Sequence, residues 1–350
     1  MSITVQKGVA VMTGDTLNVT ITQVPLERSF VIVDATTDTY TSSTGFQDWG
    51  VTGVLLSGTT LYLQRDGSTQ DASVTWQVIT CDQGEFLIVD RGAAPVTTGN
   101  TTATVSIPTV DLTRTMLIYN SRGNFDVTTT NIGFVTFTFT ASNEFVIERG
   151  ASSTTRTNTR YEVIEWSLES GVTVAHGVAD GSGLTGTEVT SAHGATVTTT
   201  NTWLFAQSRH ESNGLEQCAV RVRFDATNII IGRFDTIATI YDSYAAWQLV
   251  TFPVSNCEQR TPSMASGDTV KDTGPTALTM DTGATIVWMT NNCDGTGTAL
   301  GRNAWNSQVL NSTTIRSSRS YSGQSCEGHI SICDFSLLTN SINILFLGDI

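Results

Sequence analysis

The sequence predicts an all-β protein: a tandem array of four small antiparallel β-sandwich-like repeats of about 85 residues each. Three observations lead there. First, a phrase closing on arginine recurs at a fixed step: Leu61-Tyr62-Leu63-Gln64-Arg65, Phe145-Val146-Ile147-Glu148-Arg149, Ile229-Ile230-Ile231-Gly232-Arg233 and the weaker Thr313-Thr314-Ile315-Arg316. Second, a dozen or so residues after each arginine comes a strand-like phrase built on an aromatic or apolar residue. These are Trp76-Gln77-Val78-Ile79, Tyr161-Glu162-Val163-Ile164, Trp247-Gln248-Leu249-Val250 and the degenerate Ile330-Ser331-Ile332-Cys333. Third, the chain holds 60 threonines and an excess of Val and Ile. Such β-branched residues are stiff at χ1 and suit a pleated surface better than a helix.

The arginines at 65, 149, 233 and 316 are separated by steps of 84, 84 and 83 residues, and the second landmark keeps the same period. The units are therefore drawn at 1–84, 85–169, 170–253 and 254–350. Within unit 1, period-2 alternation and turn residues give six strands: Thr4 to Gln6, Asn18 to Gln23, Phe30 to Val33, Val51 to Leu56, Thr60 to Arg65 and Val74 to Thr80. Gly14-Asp15, Asp48-Trp49-Gly50, Ser57-Gly58 and Asp66-Gly67 punctuate them. Unit 2 repeats the pattern, with Phe and Thr alternating cleanly from Phe134 to Phe139. The most helix-like segment, around Tyr241 to Leu249, falls where the other units place a strand. A strand ending in glycine opens the first three units, at Val5 to Gly8, Val89 to Gly92 and Val174 to Gly177. The fourth unit has Val254-Ser255-Asn256-Cys257 instead, as expected either of a terminal repeat or of a unit with a task of its own.

The recurring arginines read as structural, each at a strand end bonding the carbonyls or acid of the adjoining turn, rather than as contacts for a ligand carboxylate. Trp76, Tyr161 and Trp247 read as core anchors, because the apolar residue two positions further on shares their face. Units of a tandem array need not unfold together, so the loss of one anchor can show as a separate transition.

Charge narrows the function. Charged residues make up 14% of the chain, the net charge is −14, and Lys7 and Lys271 are the only lysines. That composition excludes a polyanion-binding surface, so no nucleic acid is expected as a partner. No apolar run long enough to span a membrane is present. Met1 to Val5 runs directly into a strand without the marks of a secretory leader. Of the six cysteines, Cys218, Cys257, Cys293, Cys326 and Cys333 lie in the last two units, apart from Cys81. Buried free thiols are the first expectation. A disulfide from Cys326 or Cys333 to Cys257 or Cys293 is the alternative for a protein that ends outside a cell. Cys326-x2-His329-x3-Cys333 has the letters of half a zinc site without a second tight pair, so no metal is expected.

No catalytic constellation emerges, and no enzyme activity or cofactor is expected. His176, His193, His210 and His329 are scattered, Glu162 and Glu165 have no counterpart elsewhere, and Gly181 to Gly186 lacks the spacing of a dinucleotide loop. A glycan hydrolase would need a carboxylate pair across a cleft.

Val24-Pro25-Leu26-Glu27-Arg28-Ser29-Phe30, echoed by Val110-Asp111-Leu112-Thr113-Arg114-Thr115-Met116, together with Trp76-Gln77-Val78-Ile79 and Trp247-Gln248-Leu249-Val250, resembles the tandem β-repeat proteins encoded among the structural genes of tailed bacteriophages. The resemblance covers the first three units well and the fourth thinly. It implies a non-enzymatic virion component, assembled in the host cytoplasm and exposed as a capsid decoration or fibre-like element. Its partners would be other copies of itself, a trimer being the closed ring expected, and capsid or neck proteins, with a host-surface glycan as a further ligand. The alternative is a bacterial cell-surface adhesin or carbohydrate-binding β-sandwich protein.

Overall fold

A computed structural model describes residues 3–37, 50–68, 70–123, 133–181, 188–210, 220–232, 243–274, 277–293, 305–319 and 325–338. Unit 1 contributes β1 (Ile3–Met12), β2 (Thr16–Thr20), β3 (Ser29–Thr37), β4 (Thr52–Ser57), β5 (Thr60–Gln64) and β6 (Ala72–Cys81). Unit 2 follows with β7 (Phe86–Ala93), β8 (Thr102–Ser106), β9 (Thr115–Arg122), β10 (Val135–Ala141), β11 (Glu144–Arg149) and β12 (Asn158–Trp166). Unit 3 holds β13 (Thr173–Asp180), β14 (Glu188–Ala192), β15 (Thr202–His210), β16 (Arg221–Phe224), β17 (Asn228–Gly232) and β18 (Ser243–Thr251). Unit 4 holds β19 (Cys257–Arg260), β20 (Ser263–Met264), β21 (Val270–Thr273), β22 (Thr285–Cys293), β23 (Trp305–Val309), β24 (Ile315–Arg319) and β25 (Cys326–Asp334). The protein is all-β, and every strand pairing within its sheets is antiparallel.

Sheet order repeats four times. In unit 1 the inner sheet runs β1-β6-β3 and the outer sheet β2-β5-β4, and units 2 and 3 follow the same rule. In unit 4 the opening strand is split, because Pro262 interrupts it: β19 and β20 pair in succession with β25, which also pairs with β22. Proline has no N–H to give the ladder, so a break at an edge strand is where it is tolerated. The segment with helix-like letters is strand β18.

The two sheets of a unit bury their facing sides. Leu61 and Leu63, Phe145 and Ile147, Ile229 and Ile231, and Ile315 and Ser317 are all fully buried at matching positions of the fifth strands. Units 1, 3 and 4 each hold a core of their own, around Leu61, Ile229 and Ile315 respectively. The inner sheets are then buried a second time. Their far faces meet in one shared core that draws Phe30 and Ile79 from unit 1, Met116 and Ile164 from unit 2, Trp203 and Val250 from unit 3, and Ile286 and Cys333 from unit 4. At its centre Trp166, Phe252 and Phe335, from three units, pack with ring centroids 5.6, 5.7 and 6.4 Å apart. A strand covered on both faces is apolar almost throughout, which is why the second landmark reads as a nearly continuous run.

The fourth strand of each unit packs on the third and sixth strands of the next: β4 on β9 and β12, β10 on β15 and β18, β16 on β22 and β25. The last member closes the circle, since β23 packs on β3 and β6 of unit 1. The four sandwiches thus form a closed ring with a common core.

Candidate functional site at the seams between units

The seams are where the repeat places its polar chemistry. In the second landmark the residue after the aromatic position turns away from its own core and toward the preceding unit. There it bonds the backbone of that unit's third strand. Gln248 gives Nε2–H to the Leu117 carbonyl at 2.7 Å and takes the Leu117 N–H at 2.7 Å. The Val31 N–H donates to Glu162 at 2.7 Å and the Leu204 N–H donates to Ser331 Oγ at 2.8 Å. Across the closing seam Gln77 reaches Val287, giving to its carbonyl at 2.8 Å and taking its N–H at 3.0 Å. Val31, Leu117, Leu204 and Val287 occupy one position in the repeat. Unit 4 is joined to unit 1 by the same clamp that joins consecutive units.

A second bond repeats beside it. The first strand of a unit donates to the segment before the third strand of its predecessor: Val174 to Thr113 at 2.7 Å, Cys257 to Thr200 at 2.8 Å and, at the closing seam, Val5 to Gly283 at 2.6 Å.

Each clamp has a neighbour directly opposite on the first strand, and here the seams differ. Arg91 faces Glu162, His176 faces Gln248, Lys7 faces Gln77 and Gln259 faces Ser331. Arg91 pairs with Glu162 at 2.5 Å and also donates to the Ser29 carbonyl. Burial pushes the Glu162 carboxyl above its usual range, while Arg91 and the Val31 amide pull it back. The His176 ring nitrogen lies 2.9 Å from the Thr115 carbonyl, the position matching Ser29, and burial lowers its basicity. Burial takes Lys7 down to about 8, against the pull of Asp281 and Asp334 from unit 4.

The recurring arginines cap the outer hairpins. Arg65 is 1% exposed and sends Nε to the Gly14 carbonyl at 2.9 Å and Nη2 to that of Met12 at 2.9 Å. Arg149 does the same with Asn100 at 2.9 Å and Thr97 at 3.1 Å. In unit 4 this role falls to Arg319, which reaches Asp268 and Ala265 at 2.8 Å each. The expected Arg316 is instead exposed and holds Asp272 in a two-pronged pair at 2.7 and 2.8 Å. Strand parity is the reason: Ile315, Ser317 and Arg319 face inward, as do Leu61, Leu63 and Arg65, whereas Arg316 is one residue out of step. Arg233 lies outside the described residues.

Trp76, Tyr161 and Trp247 are buried and lie across the facing strand at Gly8, Gly92 and Gly177. A Cβ on any of these glycines would sit 2.6 Å from the ring system or its hydroxyl. The glycine that closes each opening phrase is thus the seat of the aromatic on the sixth strand, which pairs with the first.

The remaining chemistry is dispersed. Glu165 is held by Arg114 at 3.0 Å, away from Glu162. Cys81, Cys257 and Cys333 are free and buried, although Cys257 and Cys333 are opposite one another. Cys326 is disulfide-bonded, Cys293 stands opposite it in the ladder, and Cys218 lies outside the described residues, as do residues 182–187 of the glycine-rich stretch. His193 bonds locally to Asp225 and Ala195. His329 is fully enclosed, and burial beside Arg221 and Arg223 lowers its pKa to about 3. No cluster of three or more His, Cys, Asp or Glu placed to hold a metal occurs among the described residues. No protein-family model, curated protein or solved structure matches the chain.

Proposed function

We propose that this protein is a non-enzymatic structural component of a bacteriophage particle, displayed as a capsid decoration or fibre-like element. The observation that carries the reading is the disposition of sheet edges around the ring. The fourth strand of each unit, one edge of its three-stranded outer sheet, is turned into a seam, which leaves β2, β8, β14 and β21 as the opposite edges. On β2 and β8 the outward positions are small, uncharged and hydrogen-bonding, Thr16, Asn18 and Thr20, then Thr102, Thr104 and Ser106, whereas β14 adds Glu188 beside Thr190 and β21 presents Lys271 and Asp272. An edge of the first kind offers backbone donors and acceptors to another strand with little charge to desolvate. A closed body carrying two such edges, on β2 and β8, is suited to packing against copies of itself and against a shell.

Self-association and contact with capsid or neck proteins belong to the same proposal. Mass spectrometry and electron microscopy of purified particles test it. Stoichiometric presence, with density for a ring of four sandwiches on the head, neck or tail, is the expected result. Absence from particles, or recovery from a bacterial envelope, replaces this reading with that of an adhesin.

A further inference from the structure

Where the first strand of a unit meets the sixth, units 1 and 3 set two branched apolar residues face to face, Val5 opposite Ile79 and Val174 opposite Val250. Unit 4 puts Cys257 opposite Cys333 at that position. The match is fixed by the bond that ties each first strand to the preceding unit: Val5 donates to Gly283, Val174 to Thr113 and Cys257 to Thr200. Both cysteines therefore sit in the shared core, Cys257 at 5% exposure and Cys333 at 0%. A thiol fills less of a core than the Val or Ile at the matching positions, so packing alone does not favour two of them here. The same strand, β25, also carries the disulfide-bonded Cys326 on its other face, in the separate core of unit 4.

We propose that Cys257 and Cys333 are a disulfide-forming pair, joined by exchange with a small-molecule disulfide such as glutathione disulfide. The ladder has the geometry for it. The Cys257 N–H points away from β25 to the Thr200 carbonyl, and one residue earlier Asp334 donates across the ladder to the Asn256 carbonyl at 2.8 Å. Cys257 and Cys333 are thus a non-hydrogen-bonded pair, whose Cα atoms face each other at about 4.5 Å, within the roughly 4.4–6.8 Å that a disulfide spans. The Asn256 side chain links the two sulfurs, giving its amide to Cys333 and accepting from the Cys257 thiol, each at 3.4 Å. Burial, and then the neighbouring Cys257 thiol, push the Cys333 thiol up and disfavour its thiolate. Cys257, at the start of a four-residue edge strand, is the member that local opening exposes first. Its thiolate attacks one sulfur of glutathione disulfide, that S–S bond breaks, and one glutathione leaves as thiolate. Cys333 gives up its proton, attacks the Cys257 sulfur of the mixed disulfide and releases the second glutathione. The two cysteines lose two electrons and two protons, and one glutathione disulfide becomes two glutathione thiols. The new bond joins the first strand of unit 4 to its last and closes most of that unit into one covalent loop, a constraint felt chiefly by the unfolded chain.

Refolding the full chain in a buffer of reduced and oxidised glutathione, then blocking free thiols in denaturant and sequencing peptides by mass spectrometry, tests this proposal. A cross-linked peptide joining Cys257 to Cys333 is expected in most molecules. Cys81, also buried but opposite Ile3, should be recovered as a free thiol and serves as the internal control. Cys333→Val, which installs the residue of unit 3, should fold, lack the cross-link and leave Cys257 free; should that variant misfold, Cys257→Val takes its place. Guanidinium midpoints give a second reading. The rise in midpoint from fully reduced to oxidised protein should be larger in the wild type than in the variant, whose remaining rise comes from the Cys326 disulfide. Recovery of both thiols as free, a lasting mixed disulfide with glutathione, pairing of either cysteine elsewhere, or an equal rise in the variant would overturn the assignment. None of these results depends on whether the protein belongs to a virion.

Discussion

Gln77→Ala strikes the ring at its closing seam. The side chain holds both the N–H and the C=O of Val287, at 3.0 and 2.8 Å, inside a buried interface. Alanine leaves two backbone groups without partners, and each costs about 1–3 kcal/mol when no water replaces the lost bond. The expected loss is therefore about 2–6 kcal/mol, measured by guanidinium denaturation followed by tryptophan fluorescence and far-ultraviolet circular dichroism. Because inner-sheet residues of all four units share one core, the two probes should fall together in a single transition shifted to lower denaturant. Hydrogen exchange adds a local reading: the Val287 amide should lose protection, while Leu117, at the matching position of an untouched seam, keeps it. An unchanged midpoint with a still-protected Val287 would refute the clamp. A resolved early transition confined to one unit would refute the shared core.

Four further outcomes follow from the same geometry. Glu162→Gln leaves Arg91 without its ion-pair partner and should cost about 3 kcal/mol. Adding Arg91→His recreates the His176–Gln248 arrangement and should recover most of it, as read in a double-mutant cycle; simple additivity would count against the coupling. Arg65→Ala leaves the Gly14, Met12 and Gln70 carbonyls without their donor and should cost about 3–5 kcal/mol, whereas Arg316→Ala should leave the melting temperature unchanged. Trp76→Ala should cost about 3–5 kcal/mol and lower the single transition of the whole chain rather than detach one unit. Lys7 is less basic when folded, at about 8 against its ordinary 10.5. The unfolded chain therefore holds the extra proton between those values, and stability should rise as pH climbs through that window. Lys7→Met should flatten this rise in pH-dependent melts.

The strands of unit 1 were legible from alternation alone, because a half-buried strand announces its faces with a period of two. The same rule, applied strictly, distinguishes Arg319 from Arg316; matching the phrase by its nearest arginine misses it, since Ser317 stands where the other units put an apolar residue. The ring was not legible. Alternation says which residues share a face, not what covers that face. Gln77, Glu162, Gln248 and Ser331 lie on the face away from the aromatic anchors, and nothing in the alternation shows that each carries the seam. The available signal was a mismatch: Val78-Ile79, Val163-Ile164 and Leu249-Val250 are apolar on both faces of strands that an isolated sandwich would wet on one. A lone amide in such a run has a burial cost to offset, and the backbone it bonds lies in another unit, beyond the reach of any local pattern.

The fourth seam, closed by the same hydrogen bonds as the other three, makes the molecule equivalent to a ring of four identical subunits written into one polypeptide. In a true ring of copies a single substitution would alter every junction at once. Covalent fusion removes that constraint, and each junction can drift alone while the others hold the circle shut. The four junctions accordingly differ: an ion pair at one, an enclosed imidazole at another, a buried ammonium at a third, and the small Ala246 beside His176 at the fourth. Local novelty is tolerated here because closure is held redundantly.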